Sequence, residues 1–231
     1  MDKRIKYRIV LDTETAPIDK TCQKVNPTNM FVYDIGWAVV DKHGKVYKTQ
    51  SFVIQDIFIQ EADLMQSAYY ANKIPRYKTD INNGSRILTS FYKARETLIQ
   101  NIELFNVTEI YAHNMYFDLL SLNNTERWLT KSKYRYFFPY GIKINDTLKM
   151  AKDVIGKQPT YIKYCNDNNY VTSSGRPRFT AEILYRYITQ NENFTEKHMG
   201  LEDVMIEKEI LAYCFRQHKK MRKALFEKQA D

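Results

Sequence analysis

Tyr7-Arg8-Ile9-Val10-Leu11-Asp12-Thr13-Glu14-Thr15-Ala16-Pro17 carries the reading on which the fold depends. Its first five residues are a β-rich run, and Pro17, which has no N–H to give to a ladder, halts regular pairing. The run predicts an opening strand over residues 7–11 with Asp12 and Glu14 at its end. Strand side chains alternate faces with period 2, so both carboxylates project to one side and place hard oxygen donors at one spot. Like charges held together near an interior are unfavourable unless a cation or a proton compensates them. A solvated strand end is the plainer alternative for this pair.

Outward from that strand, a second β-rich run over residues 35–40 is followed by Asp41-Lys42-His43-Gly44-Lys45 and a third run over 46–54, which predicts a hairpin and three antiparallel strands. Residues 87–105 place Ile87, Leu88, Phe91, Ala94, Leu98, Ile102 and Phe105 near a 3.6-residue period, predicting a helix that leads into a strand over 107–112. His113-Asn114 then turns the chain into an apolar helical segment over 117–122. Residues 142–145 form a further strand, and Asp146-Thr147 opens a helix over 148–155 with an N-cap residue in place. A small excursion over 170–179 precedes a helix over 181–188, and residues 201–215 make an amphipathic helix that ends in a basic tail, about 216–231. Strands first, then strands alternating with helices, predict an α/β fold, a mixed β-sheet flanked by helices. No repeat or linker interrupts it, so residues 1–231 are expected to be a single domain.

The 231 residues are 44% hydrophobic and 27% charged, which excludes a disordered or fibrous chain. A net charge of +8 favours a polyanionic partner, nucleic acid first. Apolar runs fall far short of the roughly 20 residues that cross a bilayer, so no membrane span is expected, and the charged start is unlike a signal peptide, so the expected location is cytoplasmic. Cys22, Cys165 and Cys214 are widely spaced and predict neither disulfides nor a zinc knuckle.

Two further stretches stand beside Asp12-Thr13-Glu14-Thr15. In His113-Asn114-Met115-Tyr116-Phe117-Asp118 a strand delivers a polar pair and Asp118 falls in the first turn of the next helix, where it could also simply complement the helix dipole. In His198-Met199-Gly200-Leu201-Glu202-Asp203 a histidine precedes by five positions an aspartate at the front of a helix. In this order, at strand ends and helix starts, the three pieces resemble the DEDD exonuclease superfamily and its histidine-bearing (DEDDh) branch, which holds the proofreading epsilon subunit of bacterial DNA polymerase III, ribonuclease T and oligoribonuclease. Asp146-Thr147-Leu148 is a softer match, for which the N-cap role is preferred. The run Met199-Gly200-Leu201-Glu202 departs from the arginine and alanine that many relatives carry there.

The resemblance implies a ribonuclease H-like fold and an acidic pocket for two divalent cations, Mg²⁺ or Mn²⁺, about 4 Å apart. It implies that Asp12 bridges both ions, that Glu14 and Asp203 complete their shells, and that Asp118 acts partly through bound water. It gives His198 the role of general base and sets Thr13, Thr15, Asn114 and Phe117 against the substrate. The implied activity is 3′–5′ exonucleolytic hydrolysis of single-stranded nucleic acid, DNA ahead of RNA, to nucleoside 5′-monophosphates. A polymerase or other replication protein is a second candidate partner. The alternatives are a non-catalytic nucleic-acid-binding or polymerase-associated module of the same fold, or an RNA-directed 3′–5′ exoribonuclease. Residues 55–84 and 161–179 have no assigned counterpart and hold the question of substrate preference. In the first of these, Tyr69, Tyr70, Arg76, Tyr77 and Lys78 would suit bases stacking beside phosphates.

Overall fold

A computed structural model of the chain describes residues 2, 4–19 and 26–226. Strands β1 (Arg8–Pro17), β2 (Met30–Val40), β3 (Val46–Ile54), β4 (Ile87–Thr89), β5 (Glu109–Ala112) and β6 (Lys143–Asp146) form one sheet in the order β4-β3-β2-β1-β5-β6. β1, β2 and β3 are antiparallel neighbours, while β4 joins β3, β5 joins β1 and β6 joins β5 in parallel. The helices are α1 (Gln55–Phe58), α2 (Ala62–Met65), α3 (Ile74–Asn82), α4 (Phe91–Leu104), α5 (Met115–Thr130), α6 (Thr147–Val154), α7 (Pro159–Asp167), α8 (Ala181–Thr189) and α9 (Gly200–Arg216).

Alternation along the central strands sorts their side chains onto two faces. Ile9, Leu11, Ile35, Trp37 and Val39 pack with Phe91 and Leu98 of α4 and with Met115 and Leu122 of α5. Val10, Ala38, Val40 and Tyr111 pack with residues of α6, α7, α8 and α9, among them Val154, Tyr161, Leu184 and Leu211. The same alternation turns Asp12 and Glu14 with Val10 toward α9, and Thr13 with Leu11 toward α5. Pairing of β1 with β5 covers only Ile9–Ile110 and Val10–Tyr111. Asp12 follows directly, in the crevice where the two parallel strands separate and the chain leaves β5 for α5, a place where α/β sheets characteristically bind ligands.

Helix α9 reaches this crevice because two glycines let it. A Cβ on Gly36 of β2 would come within 2.3 Å of the Leu201 nitrogen, and one on Gly200 within 2.9 Å of the Gly36 nitrogen. The start of α9 therefore lies directly on β2 and carries Asp203 to β1. Gly200, where the sequence departs from the pattern it otherwise resembles, has this packing reason.

Several expectations change. β1 continues past Leu11 and pairs with β2 as far as Pro17 with Met30, with an irregularity between Glu14 and Thr15. Pro17 takes the last position, where a missing N–H costs little. Asp12 and Glu14 thus sit inside a strand, and β2 begins at Met30, not at Ile35. Residues 87–105 are not one helix: Ile87, Leu88 and Thr89 pair with β3, and the Ser90 side chain then caps α4 by accepting from the Lys93 N–H. α5 extends to Thr130, well beyond 117–122.

The basic tail is docked rather than free as far as it is described. The Asp146 N–H donates to the Lys223 carbonyl and the Leu225 N–H to that of Ile144, while Arg222 pairs with Asp153 and Lys223 with Glu109. Residues 227–231 lie outside the described residues, as do Met1, Lys3 and residues 20–25 with Cys22. Cys165 and Cys214 are buried free thiols. No helix among the described residues is long and apolar enough to cross a membrane.

Candidate active site

Asp12, Glu14 and Asp203 each offer a carboxylate oxygen within 4.8 Å of the others. The first two come from one row of β1 and the third from the first turn of α9. The Met199 N–H donates to Asp203 Oδ2 at 3.2 Å, but Asp203 Oδ1 is buried and has no hydrogen-bond partner. Burial, and then the charges of Glu207, Asp118, Asp203 and Glu14, push the Asp12 carboxyl well above the usual carboxylate range. Burial and Asp203 do the same to Glu14. For Asp203, burial and Glu196 raise the pKa to about 8. Without a cation, Asp203 therefore keeps its proton at neutral pH.

Asp118 enters from the other face of β1. The Thr13 hydroxyl donates to its Oδ1 at 2.8 Å, and burial lifts its pKa to about 7 against that bond. It acts on Asp12 through its charge but stands outside the three-carboxylate group. Asp146 is the N-cap of α6: its Oδ1 accepts from the Leu148 N–H at 2.8 Å and from the Asn114 N–H at 3.1 Å. It thereby fixes the turn, with Asn114 in the left-handed region at φ 66°, that starts α5.

Sequence reasoning missed two acids. Glu207 lies one helical turn beyond Asp203, is buried, and accepts from the His113 N–H at 3.1 Å; burial, Asp118 and Asp203 push its pKa well up. Its four-residue spacing from Asp203 on one helix was a usable signal, since such residues share a face. Glu196 groups with His198 and Asp203, all within 4.8 Å. It comes from the loop before α9, where no periodicity marks it.

The His198 imidazole stacks on Tyr70, with ring centroids 4.4 Å apart and planes at 12°, and its Nδ1 is 3.9 Å from Glu196 Oε2. The Lys73 ammonium donates to the carbonyls of Lys197 and His198 and lies over the Tyr70 ring. Burial, then Lys73, hold the His198 pKa below its ordinary value, so the ring is neutral near pH 7. His113 is tied down elsewhere, with Nε2 2.7 Å from the Phe179 carbonyl and Nδ1 3.1 Å from the Thr147 hydroxyl.

Two cavities flank the acids. The larger, about 1090 Å³, is lined by Asp12, Glu14, His198, Asp203 and Glu207, and Asn114 also faces it. The smaller, about 280 Å³, is lined by Thr13, Thr15, Met30, Tyr69, Tyr70 and Phe117, with Glu14 shared. Thr13, Thr15, Asn114 and Phe117 therefore all line one cavity or the other. The aromatic-basic segment divides. Tyr69 and Tyr70 line the smaller cavity, but Tyr77 is wholly buried and donates its hydroxyl to Asp34 at 2.6 Å, and Arg76 pairs with Asp80. Tyr77 cannot stack on a base, because the core against Tyr33 and Phe58 encloses it.

No protein-family model and no curated protein matches this sequence. Among solved structures, the chain is similar to cell-death related nuclease 4 (CRN-4), with 11% identity over 95% of this chain and 67% of that one and a TM-score of 0.54. It is similar to exonuclease I from Methylocaldum szegediense, with 14% identity over 93% of this chain and 41% of that one and a TM-score of 0.52. Exonuclease X in complex with 5′ overhanging duplex DNA gives 15% identity, coverage of 91% and 92%, and a TM-score of 0.38. The chain spans less than half of the exonuclease I chain. The mixed α/β sheet flanked by helices that the sequence predicted is thus a fold this chain shares with those two nuclease structures.

Proposed function

We propose that the chain is a metal-dependent 3′–5′ exonuclease that hydrolyses single-stranded DNA to nucleoside 5′-monophosphates. The observation that carries this reading is the Asp12–Glu14–Asp203 group, with Asp203 Oδ1 buried and unpartnered. A buried carboxylate oxygen left unpaired is costly, and a divalent cation is the ligand that removes the cost for all three groups together. The donors are carboxylate oxygens, which suit Mg²⁺ or Mn²⁺. Asp12, Glu14 and Asp203 would hold two such ions with Asp118 beside them, and the ions would supply charge stabilisation at the scissile phosphate.

The chain's own groups do the remaining work. Tyr69, Tyr70 and Phe117 hold the 3′-terminal nucleoside in the smaller cavity by stacking and apolar contact. His198, neutral and facing the larger cavity, takes a proton from the water that attacks phosphorus. A new P–O bond forms as the bond from phosphorus to the upstream 3′ oxygen breaks, that oxygen takes up a proton from solvent to become a 3′-hydroxyl, and the terminal nucleotide departs with a 5′-phosphate. Stacking on Tyr70 and the Lys73 bond to its carbonyl fix His198 in a left-handed backbone conformation, φ 50°.

A 5′-labelled oligonucleotide with Mg²⁺ or Mn²⁺ should give a ladder that disappears with chelator and with Asp12→Ala. His198→Ala should lower turnover by about 10²–10⁴-fold. A matched RNA strand degraded faster than the DNA would reassign the substrate, and an intact strand at high protein and Mn²⁺ would end the enzyme reading.

A further inference from the structure

Residues 161–179, for which the resemblance offers no counterpart, contribute Thr172, Ser173, Arg176, Pro177, Arg178 and Phe179 to the wall of the larger cavity. After α7 the chain doubles back as a small arm. The Thr172 N–H donates to the Arg176 carbonyl, the Arg178 N–H donates to that of Tyr170, Val171 bridges Pro177, and Gly175 turns the tip at φ 73°. The base of the arm is anchored. The Phe179 ring lies so close to Gly156 that a Cβ there would sit 2.7 Å from it, the Phe179 carbonyl is held by His113, and the Arg178 carbonyl accepts from the Tyr161 hydroxyl. A rigid base with an exposed tip suits a recognition element.

The charge on this wall is opposite to that on the floor. Residues 168–181 contain no Asp or Glu, while Arg176 and Arg178, with Lys152 of α6, line the cavity that Asp12, Glu14, Asp203 and Glu207 also line. Arg178 Nε is engaged by the Val171 carbonyl at 3.0 Å, whereas neither Arg176 nor Lys152 makes an ion pair with a carboxylate among the described residues. Acids and cations thus face one cavity without neutralising each other. A phosphodiester strand fits between them, because one of its phosphates belongs over the acidic floor with its cations while the next ones meet the basic wall. Direction follows from the two cavities. They meet at Thr13, Glu14 and Tyr70, so a terminal nucleoside in the smaller one leaves the rest of the strand to run through the larger.

We infer that the 168–180 arm is a backbone clamp, in which Arg176, Arg178 and Lys152 bind the phosphates just upstream of the scissile linkage and make turnover depend on strand length. This rests on the exonuclease reading. The test compares the wild type with Lys152→Ala/Arg176→Ala, which leaves the Arg178 anchor in place, on a thymidine 5′-monophosphate p-nitrophenyl ester and on a series of oligodeoxynucleotides. The ester has no upstream phosphate. In the variant its hydrolysis should keep the wild-type rate, while KM for long strands rises about tenfold and the salt dependence of log KM flattens by about 1.4, two charges at roughly 0.7 each. An unchanged KM and salt slope, or ester and strand failing together, would overturn the clamp. A wild type that cleaves neither substrate sinks the exonuclease reading instead. The clamp is then judged by fluorescence anisotropy of a labelled strand, where binding about tenfold weaker in the variant keeps it and equal binding overturns it.

Discussion

Two groups of buried acids meet at one cross-strand pair, Glu14 of β1 opposite Asp34 of β2, and they are completed in different ways. Asp34 is fully enclosed, yet Arg86 Nη1 lies 3.1 Å from its Oδ2, the Tyr77 hydroxyl donates at 2.6 Å and the Gly200 N–H at 3.0 Å. The same guanidinium reaches the Ser51 hydroxyl, Asp80 and Glu202. Burial still raises the Asp34 pKa, but Arg86, the Tyr77 hydroxyl and the Gly200 N–H pull it back. Among the described residues, Asp12, Glu14 and Asp203 have no such guanidinium, and Lys73 is the cation that acts on Glu14 and Asp203. The difference separates structure from function. One group is finished by the chain and locks α9 to the sheet through Gly200, whereas in the other Asp203 Oδ1 is buried without a partner, the feature on which the metal reading proposed above rests.

The largest effect should come from breaking the finished group. Arg86→Ala strands Asp34 in the interior and should cost about 3–5 kcal/mol, a fall in Tm of roughly 6–20 °C for a chain of this size. Chemical denaturation checks it, and a loss no larger than that of an exposed Lys78→Ala control would mean that the network is not a lock. The opposite sign is expected in the open group. Asp203→Asn removes one of the mutually repelling carboxylates while keeping an oxygen for the Met199 N–H, so Tm in chelator should rise by a few degrees as exonuclease activity falls to the chelated background. A lower Tm in chelator would show that the wild-type acids are not in conflict.

The open group was more legible in the sequence than the finished one, and the reason is physical. Asp12 and Glu14 declare themselves because a two-residue spacing on a strand fixes a shared face whatever the rest of the fold does. Asp203 is readable because a helix start is written in local periodicity. The Asp34 lock has no local signature: Arg86 follows α3 and meets β2 only through the path of the intervening chain. β4 was hidden for a related reason, since Ile87-Leu88 fits either period and only pairing with β3 decides. The Tyr70–His198 stack joins residues 128 positions apart in the sequence, and the arm at 168–180 is visible only once Phe179 is seated on Gly156.

The smallest expected effect is also the one that separates the two groups in a single titration. Asp118 and Asp203 have pKa values raised to about 7 and about 8, against roughly 4 for a carboxylate in an unfolded chain. Between those values the folded protein carries protons that the unfolded chain has released, so metal-free stability must fall as pH rises from about 4 through about 8. Asp34, also raised, adds to that slope, but Arg86 already occupies the space beside it and leaves no room for a further cation. On the reading proposed above, a divalent ion would act on the open group, where it would take over the work of the protons. The Tm gain on adding Mn²⁺ should therefore be small at pH 5 and grow toward pH 8, and Asp203→Asn should flatten that growth. A gain equal at both pH values would place the ion elsewhere and leave the open carboxylates without their counter-charge.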